Sequence, residues 1–209
     1  MKNIIVTLLI LISTAAESQY LIEFQGGTNL ANLTNPENLN KGAVWKTRVG
    51  FVGSISTAFN ILNSLDLQSG FRFIQKGTKF VNTLYTPNDV NGTITYSYLE
   101  IPVYCKYKII DHQSRLYLLG GPTYSFLTSA RVESTDPIFG NNSIDLKSDL
   151  KQYDISLDIG LCFEEPINKQ LFFVASAIYS YGLVTIGITP YNEQTRDVQL
   201  TLGLGYSFQ

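Results

Sequence analysis

Apolar and polar residues alternate along most of this chain. Between Val198 and Phe208 every second side chain is apolar or aromatic, and the residues between them are Gln, Thr, Gly, Gly and Ser. A period of two is typical of β-strands whose two faces meet different surroundings. The pattern predicts eight strands: Tyr20–Thr28, Lys46–Phe59, Leu65–Phe80, Thr95–Ile109, Arg115–Arg131, Tyr153–Glu164, Leu171–Val184 and Asp197–Phe208.

Two of the predicted strands are ambiguous. Leu171, Val174 and Ile178 also fit one face of an amphipathic helix, but strands on both sides favour a strand here. The segment Leu118–Pro122 is apolar or small on both faces, and its proline donates no ladder hydrogen bond. The sequence therefore allows a β-bulge in that segment.

Short and long connections alternate strictly between the predicted strands. In an up-and-down meander the short turns share one end and the long loops share the other. Aromatic side chains also gather near both strand ends. Transmembrane barrels have tight periplasmic turns, long extracellular loops and two aromatic girdles. The short connections are Asn60–Ser64, Ile110–Ser114 and Glu165–Gln170, and the long ones are Leu33–Trp45, Val81–Ile94, Val132–Gln152 and Thr185–Arg196.

The first residues have the pattern of a secretory signal peptide. Lys2 precedes an apolar run over Ile4–Ile12, and small residues follow as far as Ala16. A membrane-spanning helix needs roughly 20 apolar residues, and Glu17 interrupts this run after about half that length. We therefore expect residues 1–16 to be cleaved and residues 17–209 to form one domain.

The composition agrees with strands and turns and excludes one large class of function. The chain has 209 residues with 16 Gly, 13 Tyr and 12 Phe, but only one Met and one His. Its 15 basic and 17 acidic residues leave no electrostatic footprint for nucleic acid. Because no later segment is apolar and long enough for a spanning helix, a membrane-embedded chain of this kind has to form a closed β-barrel.

Alternation alone does not say which face is inside. A soluble, secreted barrel of the lipocalin kind points its apolar face inward around a ligand. The loop lengths, the aromatic strand ends and the low charge of the polar faces favour the membrane barrel. A lipocalin also usually opens with a Gly-x-Trp signature, which the spacing of Gly42 and Trp45 does not match.

Three segments resemble the outer-membrane β-barrel domain family of Gram-negative bacteria, often labelled porin-family proteins. They are Tyr98–Tyr107, Leu116–Pro122 and Leu202–Phe208, and the Tyr-Leu-Glu-Ile-Pro fragment that starts at Tyr98 is the most specific. The resemblance extends over nearly the whole mature chain. It agrees with the all-β fold that the alternation predicts, an eight-stranded antiparallel up-and-down transmembrane barrel.

The last strand also resembles the assembly signal that the outer-membrane insertion machinery reads. The positions that match its polar, glycine, aromatic and terminal aromatic residues are Thr201, Gly203, Tyr206 and Phe208. Such signals usually end on the aromatic residue, whereas Gln209 follows here.

With the apolar faces outward, charged side chains point into the barrel. Five are basic and six are acidic, so they nearly cancel. An eight-stranded barrel is only wide enough for side chains to fill it, so a balanced interior predicts a salt-bridged plug, and a polar path for small solutes is the alternative. Glu100 is expected to face Arg72 or Lys76 on the preceding strand. The predicted interior charges are Glu23, Arg72, Lys76, Glu100, Lys106, Asp154 and Asp158, together with Arg48, Asp66, Lys108 and Glu164.

Catalytic and metal-binding patterns are poorly supported. His112 lies in Asp-His-Gln-Ser, which has the His-x-Ser spacing of a barrel lipase but falls in a predicted tight turn. Asp154 and Asp158 share one strand face about 13 Å apart at ~3.3 Å per residue, too far to act together. Cys105 and Cys162 point to opposite faces of strands that are not neighbours, so no disulfide is expected. We expect no enzymatic activity, metal or cofactor.

The sequence thus predicts a structural or surface-interaction protein of the outer membrane that acts through four long extracellular loops, with no appended peptidoglycan-binding domain. Its expected partners are outer-membrane lipid, the barrel assembly machinery during insertion, and a surface or envelope protein that the loops do not identify. The alternatives are a narrow pore or transporter for small solutes, and a component of an envelope secretion or assembly complex.

Overall fold

The computed structural model describes residues 20–34, 43–82, 90–136, 140–187 and 193–208. The expected signal peptide and Gln209 lie outside these ranges. Within them, no helix is long and apolar enough to span a membrane. The described chain forms a short 3-10 helix, Lys147–Asp149, and the strands β1 (Tyr20–Leu33), β2 (Ala43–Leu62), β3 (Leu65–Asn82), β4 (Val90–Asp111), β5 (Arg115–Asp136), β6 (Gly140–Asp145), β7 (Tyr153–Pro166), β8 (Leu171–Gly182) and β9 (Thr195–Phe208).

Eight of these strands close into a ring. Each pairs antiparallel with its two neighbours in the order β1, β2, β3, β4, β5, β7, β8, β9, and β9 returns to β1. The closing seam runs the whole length of β1, from Tyr20 opposite Phe208 to Leu33 opposite Thr195. The predicted eight-stranded antiparallel barrel is therefore confirmed, and β8, whose pattern also fitted a helix, is one of its strands.

A ninth strand was not predicted and lies outside the ring. In the described chain β6 pairs with the last residues of β5, from Arg131 opposite Asp145 to Asp136 opposite Gly140. All six of its residues are exposed. Its sequence, Gly-Asn-Asn-Ser-Ile-Asp, is rich in turn-forming residues and does not alternate. Pairing with β5 makes this segment a strand, and its own pattern could not reveal it.

Several strands extend further toward the long loops than predicted, whereas β8 ends at Gly182, two residues before its predicted end. β2 begins at Ala43, β4 begins at Val90 and β5 continues to Asp136. The outward positions near these ends carry polar residues such as Lys79 and Thr93, so the apolar alternation stops while the hydrogen-bonded ladder continues. The hairpins of β2–β5 therefore extend beyond the apolar part of the wall.

The bulge in β5 lies at Thr128, not in Leu118–Pro122. Ser97 pairs with Ser129 and Tyr98 pairs with Leu127, which leaves Thr128 as the extra residue. Through Leu118–Pro122 the pairing with β7 keeps a single register. The small and apolar residues of that segment therefore fit a regular ladder with β7, and the bulge that the sequence allowed there is not formed.

The two faces of the ring differ in chemistry. Phe24, Leu157 and Leu202 point outward and are more than half exposed. Glu23 and Lys106 point inward and have no exposed surface. The polar groups of the barrel are therefore gathered in its interior, behind an apolar outer wall.

Candidate functional site

Three strands bring Glu23, Lys106 and Glu164 together near the tight turns, and we name these residues the turn-end cluster. The Nζ atom of Lys106 lies 3.0 Å from Glu23 Oε1 and 2.8 Å from Glu164 Oε1. Gln68 donates a hydrogen bond of 2.9 Å to the other oxygen of Glu23, and Tyr117 donates one of 3.2 Å to the other oxygen of Glu164. Every carboxylate oxygen of the cluster therefore has a partner.

Arg72 of β3 links three strands in the middle of the barrel. It pairs with Glu100 in the ladder, and its Nε atom lies 2.7 Å from Glu100 Oε2. Its Nη2 atom reaches across the interior to Asp158 Oδ2 in β7, at 2.9 Å. Its Nη1 atom donates to the Tyr104 hydroxyl at 2.7 Å, and that hydroxyl donates in turn to Asp158. The expected pairing with Glu100 is present, and the contact with β7 is an addition to it.

Lys76 lies on the same face of β3, four residues nearer the long loops. Its Nζ atom is 2.9 Å from Glu100 Oε1 and 3.4 Å from Asp197 Oδ2. Asp197 comes from β9, so this lysine joins opposite sides of the ring. We name Arg72, Lys76, Glu100, Asp154, Asp158 and Asp197 the central cluster.

Two carboxylates of the central cluster have one oxygen that accepts no hydrogen bond, although Lys76 forms an ion pair with that oxygen of Asp197. Asp154 Oδ2 accepts a hydrogen bond of 2.9 Å from the Thr195 hydroxyl, and Asp197 Oδ1 accepts one of 2.9 Å from Gln199 Nε2. Among the described residues, Asp154 Oδ1 and Asp197 Oδ2 accept no hydrogen bond, although both atoms are buried. The loop side of the central cluster therefore contains unpaired acceptor oxygens, and the buried hydroxyls of Tyr98 and Ser180 are unpaired as well.

The structure adds one acidic residue to the predicted interior charges, and the most deeply buried of them are mainly acidic. Arg48 lies at the loop end of its strand, while Asp66 and Lys108 are only half-buried at the turn end. Asp197, which the sequence analysis did not include, is 2% exposed. Among the described strand residues less than 5% exposed, the cations are Arg72, Lys76 and Lys106, and the carboxylates are Glu23, Glu100, Asp154, Asp158, Glu164 and Asp197.

An apolar cluster closes the interior near the long loops, and we name it the loop-end cap. Ile94, Leu127 and Ile186 are its buried members, together with Leu33, Tyr96 and others. Ile186 belongs to the β8–β9 connection, and its carbonyl accepts a hydrogen bond of 2.9 Å from the amide of Lys151 in the connection before β7. Leu150 packs against the same cluster. Two different connections therefore cover this end of the barrel.

The space below the cap is small beside the central cluster. The cavity between Gln25, Arg72, Tyr104 and Gln199 has a volume of about 30 Å³, enough for about two water molecules. A wider recess of about 110 Å³ lies at the turn end beside Glu164. The recess at the turn end is therefore larger than the cavity beside the central cluster.

The structure does not bring the residues considered for catalysis together. His112 is exposed in the β4–β5 turn. Asp154 and Asp158 hydrogen-bond different groups, Thr195 and Tyr104. Over the residues that the structure describes, no three His, Cys, Asp or Glu side chains are grouped as metal ligands.

The four residues of the expected assembly signal lie on the seam between β9 and β1. Thr201 points inward and donates a hydrogen bond of 2.7 Å to Gln25 in β1. A Cβ atom on Gly203 would collide with a backbone carbonyl of β1, so this position needs glycine. Tyr206 and Phe208 point outward, with their ring centroids 4.8 Å apart.

Comparisons with known proteins agree with this architecture. The sequence pattern of the family described as "Outer membrane protein beta-barrel domain" matches residues 15–186. The chain belongs to this family. The protein is therefore an outer-membrane β-barrel, and its apolar wall is the surface that faces lipid.

Several solved structures share its fold. They include neisserial surface protein A (TM-score 0.53, 14% identity, 90% of this chain and 97% of that one), the outer membrane protein OprG from Pseudomonas aeruginosa (0.55, 12%, 92% and 96%) and a major outer membrane protein from Thermus thermophilus (0.54, 13%, 92% and 100%). No curated protein sequence matches the chain. At these identities the likeness concerns the fold alone.

Three features of the interior were missed from the sequence. Asp197 is the first residue of a predicted strand. Because inward positions alternate along a strand and Thr201 points inward, Asp197 should point inward too. Ile186 and Glu193 lie in a predicted loop, where no periodic pattern signals burial.

Proposed function

We propose that this protein is a non-conducting barrel that acts as a structural or surface-interaction protein through its extracellular loops, without enzymatic activity. The observation that supports the proposal is the small volume of the cavity beside Arg72 and Tyr104, about 30 Å³. The loop-end cap adds an apolar barrier, since a hydrated ion would have to displace Ile186 and its neighbours.

The central cluster opposes opening of the barrel from within. Arg72 of β3 holds Glu100 in the neighbouring strand β4 and Asp158 in β7, which is three strands away around the ring. Moving the guanidinium aside to make a path removes one ion pair from Glu100, which keeps Lys76, and the ion pair of Asp158, which keeps only neutral donors. Breaking a buried pair in this way costs roughly 3–5 kcal/mol. Thermal motion of side chains alone therefore supplies no continuous path.

The loop end supplies the surface for interaction. The β5–β6 hairpin extends past the ring, and all six residues of β6 are exposed. Asn141, Asn142 and Ser143 offer hydrogen-bonding groups beside the exposed apolar side chain of Ile144. A mixed polar and apolar surface on a projecting hairpin suits a protein partner outside the membrane.

A narrow cation path is the second candidate, favoured by one observation. The fully buried strand residues include six carboxylates but only three cations. A surplus of negative charge attracts cations into a lumen and repels anions.

Planar-bilayer recording separates the two candidates. We expect the purified wild-type protein to be electrically silent, and Glu100→Gln to be silent too, because the neutral side chain still occupies its space. Glu165→Gln, at the turn end outside the clusters, serves as the control for handling and insertion. Stable ohmic currents in the wild type would refute the non-conducting barrel, and selectivity for cations would establish the second candidate.

A further inference from the structure

A groove of about 500 Å³ lies on the outside of the ring, where β2–β5 extend toward the loops. Its walls include Lys46 of β2 and Lys79 of β3, with Asn91 and Thr93 of β4 and Glu133 of β5. We name it the wall groove. Because these residues come from four adjacent strands, the backbone of the sheet fixes their spacing.

The wall groove lies near the loop end of the apolar wall, and Val44 of β2 is an exposed apolar side chain on its loop side. In β2, Lys46 lies three residues beyond the exposed apolar position Val49 toward the loops, or about 10 Å along a strand. In β3 and β4, the exposed positions Phe73 and Leu99 lie below it. Lipid chains cover those apolar side chains, so the groove lies at the level of lipid headgroups.

The two lysines form an uncompensated pair of like charges. Lys46 and Lys79 are direct partners in the β2–β3 ladder, and both are exposed on its outer side. Like charges directly opposite one another destabilise a sheet. In the described part of the chain no carboxylate lies within 4 Å of either ammonium group. The nearby Glu133 is instead paired with Arg131, at 3.9 Å. The pair is therefore free to hold an anion.

The remaining lining fits a sugar. The amide of Asn91 and the hydroxyl of Thr93 supply neutral donors and acceptors next to the lysines, and the hydroxyl of Thr135, which donates to Asn141, adds an acceptor. Lysine binds phosphate through its positive charge. The neutral groups alone would bind phosphate more weakly than the lysines do. A phosphorylated glycolipid has three parts that match this surface. The lysines can bind its phosphate, the neutral groups can bind its sugar hydroxyls, and the apolar surface below can contact its acyl chains.

We propose that the wall groove binds the phosphorylated sugar headgroup of an outer-leaflet glycolipid, with Lys46 and Lys79 on its phosphate. This inference goes beyond the proposed function, because it concerns the outer wall and holds whether or not the interior conducts. The acyl chains of the bound lipid lie against Val49, Phe73 and Leu99.

The test measures lipid retained by the full chain. The protein is reconstituted into phosphatidylcholine vesicles with or without lipid A, a diphosphorylated disaccharide lipid, and bound lipid A is counted by native mass spectrometry after detergent extraction. We expect Lys46→Gln/Lys79→Gln to weaken retention about tenfold or more, from the contribution of two basic residues near an anionic surface. The matched control, Lys147→Gln/Lys169→Gln, removes two lysines outside the groove and should retain lipid A like the wild type.

A folding control and a competition experiment decide how each result is interpreted. Heat-modifiable migration on a gel shows whether each variant is folded, and both substituted lysines are exposed, so folding should be unaffected. Equal retention by the groove variant and the wild type, or equal loss in the control variant, overturns the proposal. Displacement of lipid A by inorganic phosphate at comparable concentration also overturns it, because the site would then be one for free anions.

Discussion

The carboxylates at the two ends of the buried charge network differ in how many of their oxygens accept hydrogen bonds. In the turn-end cluster, Lys106 serves Glu23 and Glu164, and neutral donors occupy the remaining oxygens. On the loop side of the central cluster, Asp154 and Asp197 each keep one buried oxygen without a hydrogen bond from the described residues. Both clusters contain two carboxylates for each cation. The difference therefore lies in the neutral donors and not in the charge ratio.

This difference predicts where the barrel tolerates change. A buried carboxylate whose oxygens all have partners loses those interactions when it is altered, and it leaves its partners unpaired. A half-satisfied carboxylate already carries part of that cost in the wild type. Substitutions should accordingly be expensive at the turn end and cheap on the loop side.

The largest effect is expected for Lys106→Met. The methionine fills the space but leaves Glu23 and Glu164 buried without their shared cation, at a cost of about 3–5 kcal/mol in the free energy of unfolding. Urea unfolding of the detergent-solubilised barrel, followed by gel mobility, measures the loss. Lys108→Met is the control, since its partner Asp111 is 59% exposed and such pairs contribute below about 1 kcal/mol. Equal losses in the two variants would contradict the special role of the turn-end cluster.

A matched pair of neutral substitutions tests the comparison directly. Glu23→Gln places an amide among the donors Lys106 and Gln68, and should cost about 2 kcal/mol. Asp154→Asn can keep its acceptor for Thr195 and replaces the oxygen that lacks a partner, so it should be within ~1 kcal/mol of the wild type or stabilising. The same unfolding measurement applies to both. If Asp154→Asn costs as much as Glu23→Gln, hydrogen-bond satisfaction does not distinguish the two regions.

The smallest effect extends the comparison to a carboxyl group in the β8–β9 connection. Glu193 is buried there, and its Oε1 atom lacks a partner in the described chain. Burial raises the pKa of this carboxyl group. The folded protein then holds the proton more tightly than the unfolded chain, so this contribution to stability is full below the ordinary pKa and is lost as the pH rises through the raised value.

Glu193→Gln should therefore flatten this part of the pH dependence and increase stability at neutral pH. Unfolding midpoints between about pH 4 and pH 8 measure the change. Glu133→Gln, at an exposed position, should leave the pH profile as in the wild type. An unchanged slope in Glu193→Gln would assign the pH dependence to other groups.

Much of the ring could be predicted because strand alternation is a local property. Leu157 and Ser156 already differ in the sequence in the way that an outer and an inner position must differ. The extra strand β6 could not be predicted, because only its pairing with β5 makes it a strand. The bulge at Thr128 was missed for a related reason, since small residues elsewhere in β5 gave a stronger local signal for irregularity.

The contents of the interior were predictable, but most of its contacts were not. The alternation of inward and outward positions places Lys106 and Glu164 inside the barrel. The order of the strands places Arg72 of β3 beside Glu100 of β4. No sequence pattern joins Lys106 to Glu164, because the two side chains meet across the barrel from β4 and β7, which are not neighbours. The loop-end cap also depends on three-dimensional closure, since Ile186 is buried only when its connection folds over the mouth.

The seam between β1 and β9 also sets the order of events in time. Tyr20 is opposite Phe208, so the first and last described residues of the chain must meet before the ring exists. Any shorter chain leaves two rows of unpaired backbone amides and carbonyls, which lipid cannot satisfy. Such distant partners also make closure slow compared with the formation of each hairpin. A growing chain therefore has no stable membrane-embedded intermediate of its own, and it has to be kept from the bilayer until its final strand is available.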